Sequence, residues 1–241
     1  MDRKEIAEQF YMEEHAVLYA LLVKAARELY GDKGELANVE GTIQYGRERG
    51  RRMALRALKD GEDLSPKNYL LYSEWVDDRK WSKKDVYAIS PAFTTHCTHC
   101  GWCESWKKHG LLEYGNLYCS HIDVNLVKGF NPDNVLNIRS VLSQNGPCCD
   151  FEFEKVSFAN QEELDAFNAK KRSLKDHTVK DFLYHTASEL SAMDRVYQSI
   201  LGKEAAEKVV STAIAGFREK FGEEKTAALL EEAKQDFTVI D

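Results

Sequence analysis

The residues whose types could carry chemistry are gathered in one stretch, His96 to Phe153, which holds all six cysteines and four of the seven histidines. Cys119 and Asp123 stand four residues apart in a segment of helical periodicity, one turn above each other on one face. A thiolate so placed can add to an electrophilic carbon while the carboxylate orients the substrate or shuttles a proton. The same spacing also fits a buried structural cysteine beside a carboxylate engaged elsewhere. His121, two residues from each, points to another side. Further on, Cys149, Phe151 and Phe153 alternate with Asp150 and Glu152. Cys149 therefore faces inward if the phenylalanines do, and Cys148 points away.

In the run HCTHCGWC, Cys97, Cys100 and Cys103 recur every three residues with His96 and His99 between them. Thiolates at this spacing hold zinc or an iron–sulfur cluster when a fourth ligand completes the set, and Cys119 could supply it. The run lacks the two separated ligand pairs of a zinc ribbon, and Cys119 is followed by Ser120, not by the proline of a ferredoxin pattern. Reduced thiols beside a pocket are the preferred reading. A metal-dependent enzyme or thiol-rich metal-binding protein, with zinc or iron on Cys97, Cys100, Cys103 and Cys119, is the alternative. Upstream, Arg47, Arg49, Arg51, Arg52 and Arg56 crowd one helix. They form either a solvated face or, through Arg49, Arg52 or Arg56, a grip on a substrate carboxylate.

The elements that must position these groups are mostly helical. Apolar residues at three- and four-residue steps predict a long helix over 3–30, ended by Gly31, and a second over 35–59 in which Gly46 and Gly50 allow close backbone packing. Ser65-Pro66 starts a further helix. Residues 86–90 read as a strand stopped by Pro91, and 115–129 as a helix with a glycine stop. Strands near 134–143 and 148–154, joined through Asn145-Gly146-Pro147, form an antiparallel hairpin. Helices resume at Gln161, with one apolar stripe over 179–200 and two further helices near 203–220 and 223–236. The spacing His15–Gly31–Gly50 is echoed by His185–Gly202–Gly222, from a duplicated helical hairpin or from the shared grammar of glycine-ended helices.

These elements predict an α+β fold, mostly helical, with long N- and C-terminal helices packed around a small antiparallel β-sheet. Without a Pro-, Gly- or Ser-rich linker, residues 1–241 read as one domain: a helical N-terminal segment over 1–82, a cysteine-rich core over 83–158 and a helical C-terminal segment over 159–241. The charged segment from Asn160 to Asp176 is the hinge candidate, and the terminal helices offer a subdomain or homodimer contact. A net charge of −7 argues against nucleic-acid binding. The lack of an eighteen-residue apolar run or an apolar leader core predicts a cytoplasmic protein off the membrane, with reduced thiols.

The order and spacing of several residues go further. Cys103 lies before an amphipathic helix, then come Tyr118-Cys119 with Asp123, then Gly129-Phe130-Asn131-Pro132, then Gly146 with Cys149 and Phe151. This series resembles the L-2-amino-thiazoline-4-carboxylic acid hydrolase family. The resemblance implies opening of a small cyclic amidine or thiazoline, a C–N bonded ring, to a product such as N-carbamoyl-L-cysteine. It implies a small-molecule substrate and requires no cofactor. The catalytic candidates are then Cys119, Asp123, Cys149 and Cys103, with Glu104, Asn131, Arg49 and Arg52 as substrate-binding candidates. Cys97 and Cys100, with their histidines, stand outside the family pattern.

Overall fold

The computed structural model describes residues 2–240. In chain order the elements are α1 (Arg3–Ala7), α2 (Met12–Lys59), α3 (Pro66–Leu71), β1 (Lys83–Ala88), β2 (Phe93–His99), α4 (Gly101–Lys108) and α5 (Leu112–Phe130). Then follow β3 (Leu136–Ser140), β4 (Cys149–Phe153), α6 (Gln161–Ser173), α7 (Lys175–Thr178), α8 (Phe182–Leu201) and α9 (Lys203–Glu232). The fold is α+β, long helices with one antiparallel sheet in the order β1-β2-β4-β3. No helix among the described residues is long and apolar enough to cross a membrane. The chain divides into two compact units. The first takes the residues up to Tyr45, Gly101–Ile122 and Lys180–Phe237; the second takes Gly46–Cys100, Asp123–Val179 and the residues from Thr238.

In the first unit, α2 reverses direction at Gly31, whose φ of 53° and ψ of −131° no helix tolerates. Contacts across the turn pair residues in opposite order: Arg27 with Glu35 at 2.9 Å, Asn38 with the Val23 carbonyl at 3.1 Å, Tyr19 with Thr42 at 2.6 Å and His15 with Tyr45 at 3.0 Å. This is an antiparallel helical hairpin, turned at the glycine expected to end the first helix. The arms touch backbone to backbone at Gly34, where a Cβ would fall 2.0 Å from the Ala26 carbonyl oxygen. α8 and α9 form a second hairpin around Gly202 (φ 94°), and Gly222 (φ 85°) interrupts α9. Both halves of the sequence echo are thus helical arms turned at a glycine of positive φ. The helix expected over 3–30 instead breaks after Ala7. The Glu14 carboxylate accepts the Tyr11 amide at 2.9 Å and starts a new helix at Met12. The stripe over 179–200 likewise begins only at Phe182, where Asp181 accepts the Tyr184 amide at 2.8 Å.

In the second unit the sheet has one apolar and one polar face. Phe93, Leu136 and Phe153 pack with Val127 of α5, Leu164 of α6 and the buried Val156 and Phe158. His96, Arg139, Asp150 and Glu152 occupy the other face, where His96 and Asp150 approach to 3.7 Å. The hairpin β3–β4 has the expected antiparallel pairing, with Asn145 in the left-handed region at φ 64°. Strand β2 was not expected. Of its seven residues only Phe93 and Cys97 give it an apolar alternation, too few to show the period of a strand.

The second arm of α2 crosses α5 at two glycines. A Cβ on Gly50 would fall 2.1 Å from the Leu126 carbonyl oxygen, and one on Gly129 would fall 2.3 Å from that of Arg47. Gly129 therefore serves the crossing and does not end the helix, which runs on to Phe130. Alanine would gain about 1 kcal/mol of helix propensity at either site. Because the obstacle is backbone, Gly50→Ala and Gly129→Ala are each expected to lose about 1–3 kcal/mol net. A urea midpoint unchanged or raised in both variants would refute the close crossing.

Candidate active site

Strand register builds the site. Lys84 of β1, Cys97 of β2 and Cys149 of β4 are successive cross-strand partners, one row on one face of the sheet. The next row on that face pairs Thr95 with Phe151. Cys97 and Cys149 are 7% and 6% exposed, and the Cys97 thiol lies beside both Cys149 and Cys100. The Lys84 side chain reaches across β2, so that its ammonium lies 5.4 Å from the centre of the Phe151 ring. From α5, Asp123 turns its carboxylate to the same place, where it interacts with Lys84, Arg49 and Cys149.

The electrostatics divide the two opposed thiols. Hydrogen bonding from Cys97 holds the Cys149 thiol below its ordinary pKa, against the opposing effect of burial, and the Leu142 amide adds a hydrogen bond at 3.4 Å. Cys97 is pushed up by hydrogen bonding with Cys100 and Cys149 and by burial. The Cys97 S–H donates to the His99 carbonyl at 3.1 Å. Of the two thiols, Cys149 is the one whose ionisation its surroundings favour, and Cys97 the one whose ionisation they oppose. Burial raises the Asp123 pKa, while Lys84 and Arg49 pull it back. Desolvation lowers Lys84, although much of the residue is exposed, and Asp123, Cys97 and Cys149 oppose that shift. Lys171 of α6 is pushed down to about 8 by burial and by Lys84. Two buried thiols, a carboxyl group whose pKa is raised by burial and a cationic wall meet on one sheet face.

The other residues named from sequence have different surroundings. Arg49, Arg52 and Arg56 are 4%, 0% and 2% exposed, not a solvated face, and they surround Glu74. Arg52 grips it at 3.0 and 3.1 Å, Arg56 at 2.6 Å, and Arg49 stands 3.7 Å away. The Asn131 amide donates to the Leu64 carbonyl at 2.9 Å and its oxygen accepts the Asp133 amide at 3.0 Å, which fastens the loop after α5. Glu104 lies in the first unit and pairs with Lys107 at 2.9 Å. Cys103, buried on α4, has Lys107 one turn on. Cys119 and Asp123 share helix α5, with the boundary between the units falling after Ile122. The four cysteines of the metal alternative are divided, Cys97 and Cys100 in the second unit and Cys103 and Cys119 in the first. Among the described residues no three His, Cys, Asp or Glu side chains are placed to hold a metal ion.

Sequence reasoning missed Lys84, Thr95 and the placement of Cys97 opposite Cys149. The FTTHCTH alternation would have put Cys97 on the face of Phe93 and Thr95 had the strand been recognised, though not its register against Cys149; nothing in the sequence marks Lys84. It also missed a buried polar group in the first unit. Trp102 donates its indole N–H to His15 Nδ1 at 3.1 Å, which leaves the histidine proton on Nε2, facing Tyr45 at 3.0 Å and the fully buried Glu189 at 3.4 Å.

Residues 10–153 match the family described as L-2-amino-thiazoline-4-carboxylic acid hydrolase. No curated protein and no solved structure matches the chain. The matched span ends on Phe153, the last residue of β4, and takes in every strand of the sheet that carries the thiols. With well over half of its length matched, the chain belongs to the L-2-amino-thiazoline-4-carboxylic acid hydrolase family.

Proposed function

We propose that the protein hydrolyses a small cyclic amidine of the thiazoline type, with Cys149 as nucleophile, Cys97 as the group that keeps it ionised and Asp123 as the proton carrier. The observation that carries this reading is the opposed pair Cys97–Cys149, two buried thiols that are direct cross-strand partners, with the Leu142 amide donating to the Cys149 sulfur at 3.4 Å. The ring carbon between nitrogen and sulfur is the electrophile. The Cys149 sulfur bonds to it while Asp123 gives a proton to the ring nitrogen, and the ring carbon–sulfur bond then opens. Water adds to the same carbon and returns a proton to Asp123. The bond to Cys149 breaks as a thiolate, and the remaining hydroxyl proton passes to the released ring sulfur. One water is consumed, and a carbamoyl group and a free thiol are formed. The raised pKa of Asp123 suits it to both transfers.

The pH profile tests this assignment. Because the folded Cys149 pKa lies below that of a free thiol, the acid limb of kcat/KM should fall below the ordinary thiol value of about 8.5. Cys97→Ala removes the main cause of the lowering, so the limb should move toward higher pH. A limb at the same pH in both proteins would remove Cys97 from the mechanism.

A further inference from the structure

We infer that Lys84 and Thr95 form a carboxylate-binding subsite beside the thiols, which makes the enzyme selective for rings that carry a carboxylate. The inference rests on the thiol-hydrolase reading above and adds the residues that choose the substrate. Three observations place the subsite. The Lys84 stem crosses β2 and brings its ammonium over Phe151, the partner of Thr95. That row is one step along the sheet from the Cys97–Cys149 row, about 6–7 Å at two residues per step. Attack needs the ring carbon about 3–3.5 Å from sulfur. A ring that stands over the sheet with its attacked carbon at Cys149 can therefore turn its carboxyl group toward the neighbouring row.

Thr95 supplies the second observation. It is 4% exposed, and its hydroxyl has no hydrogen-bond partner among the described residues. A buried unsatisfied hydroxyl costs about 1–3 kcal/mol, a cost that a ligand oxygen would remove. The third is the state of Lys84. Among the described residues it makes no ion pair, and its ammonium has only the aromatic face of Phe151 and the longer-range charges of Asp123 and the thiols. Lys171, which interacts electrostatically with Lys84, adds to the positive potential. An acid-free ring would leave both donors unmatched.

The test compares kcat/KM for 2-aminothiazoline-4-carboxylate and for 2-aminothiazoline without the carboxylate, in the wild type, Lys84→Met and Thr95→Val. The preference for the carboxylate should fall about 100-fold in Lys84→Met and about tenfold in Thr95→Val, mainly through KM. Thr95→Val should also melt no lower than the wild type, because it removes an unsatisfied hydroxyl. An unchanged preference in both variants overturns the subsite. If the wild type turns over neither compound, the hydrolase reading itself fails. The subsite is then decided by calorimetric titration of the carboxylate compound: binding lost in Lys84→Met supports it, and equal binding or none in the wild type refutes it.

Discussion

Cys149→Ala is expected to lower turnover of the aminothiazoline carboxylate by about four orders of magnitude or more, the scale at which loss of a covalent nucleophile is usually felt. The fold should survive, because the change deletes one sulfur atom from a side chain that is already small. The partner thiol should behave differently. With Cys97→Ala the Cys149 sulfur keeps the Leu142 amide but loses the hydrogen bond that most favours its ionisation. Turnover at neutral pH should then fall about 10- to 100-fold and recover at alkaline pH. Cys119→Ala and Cys103→Ala belong in the same series, since both thiols are candidates on sequence grounds. Full activity in Cys149→Ala with loss in Cys119→Ala would move the nucleophile from the sheet to the helix. Mass spectrometry of protein quenched during turnover gives a second check, because the mechanism requires the substrate's mass to be added at the peptide that contains Cys149.

Glu74→Gln is expected to destabilise the protein by about 3–5 kcal/mol, as follows when one partner of a buried ion pair is removed and the other stays. The substitution keeps size and one acceptor but removes a fully buried negative charge that lies among three buried guanidinium groups. Arg52 loses its two-toothed carboxylate partner, and Arg56 loses the acceptor of its 2.6 Å bond. Urea unfolding gives the number. A loss under 1 kcal/mol would mean that solvent reaches the cluster, and the burial of Arg49, Arg52 and Arg56 would need revision. Adding Arg56→Met to Glu74→Gln should recover some of the loss, since one fewer charge is then stranded.

Most helices were legible because amphipathic periodicity and glycine turns are local signals. Gly31, Gly202 and Gly222 all take positive φ, and Ser65 caps α3 as its sequence implies. The breaks at residues 8–11 and 179–181 were hidden because Glu14 and Asp181 act as caps inside stretches whose apolar period runs on unbroken. The thiol site was half legible. Cys149 and Asp123 could be named from alternation and spacing, but a row across strands depends on register, which joins Lys84 and Cys149 over 65 positions of chain. The arginines show the limit from the other side. Their shared face was visible, yet Glu74, the anion that occupies them, lies on a loop with no pattern to point at it.

The division of the chain into units has a consequence for how the protein is made. The first unit draws on three separated stretches, and two of its boundaries with the second fall inside α2 and α5. On a ribosome the sheet with its thiols can close once α6 has emerged. The arm of α2 that carries Gly41 must wait for Met193 of α8, whose sulfur would lie 2.6 Å from a Cβ at that glycine. Buried surface therefore stays open during synthesis over a long sequence separation, a condition that slows folding and invites aggregation. A nascent chain stalled before Lys180 would present a finished sheet and an uncovered helical hairpin, and it is at that length that a chaperone would find most to bind.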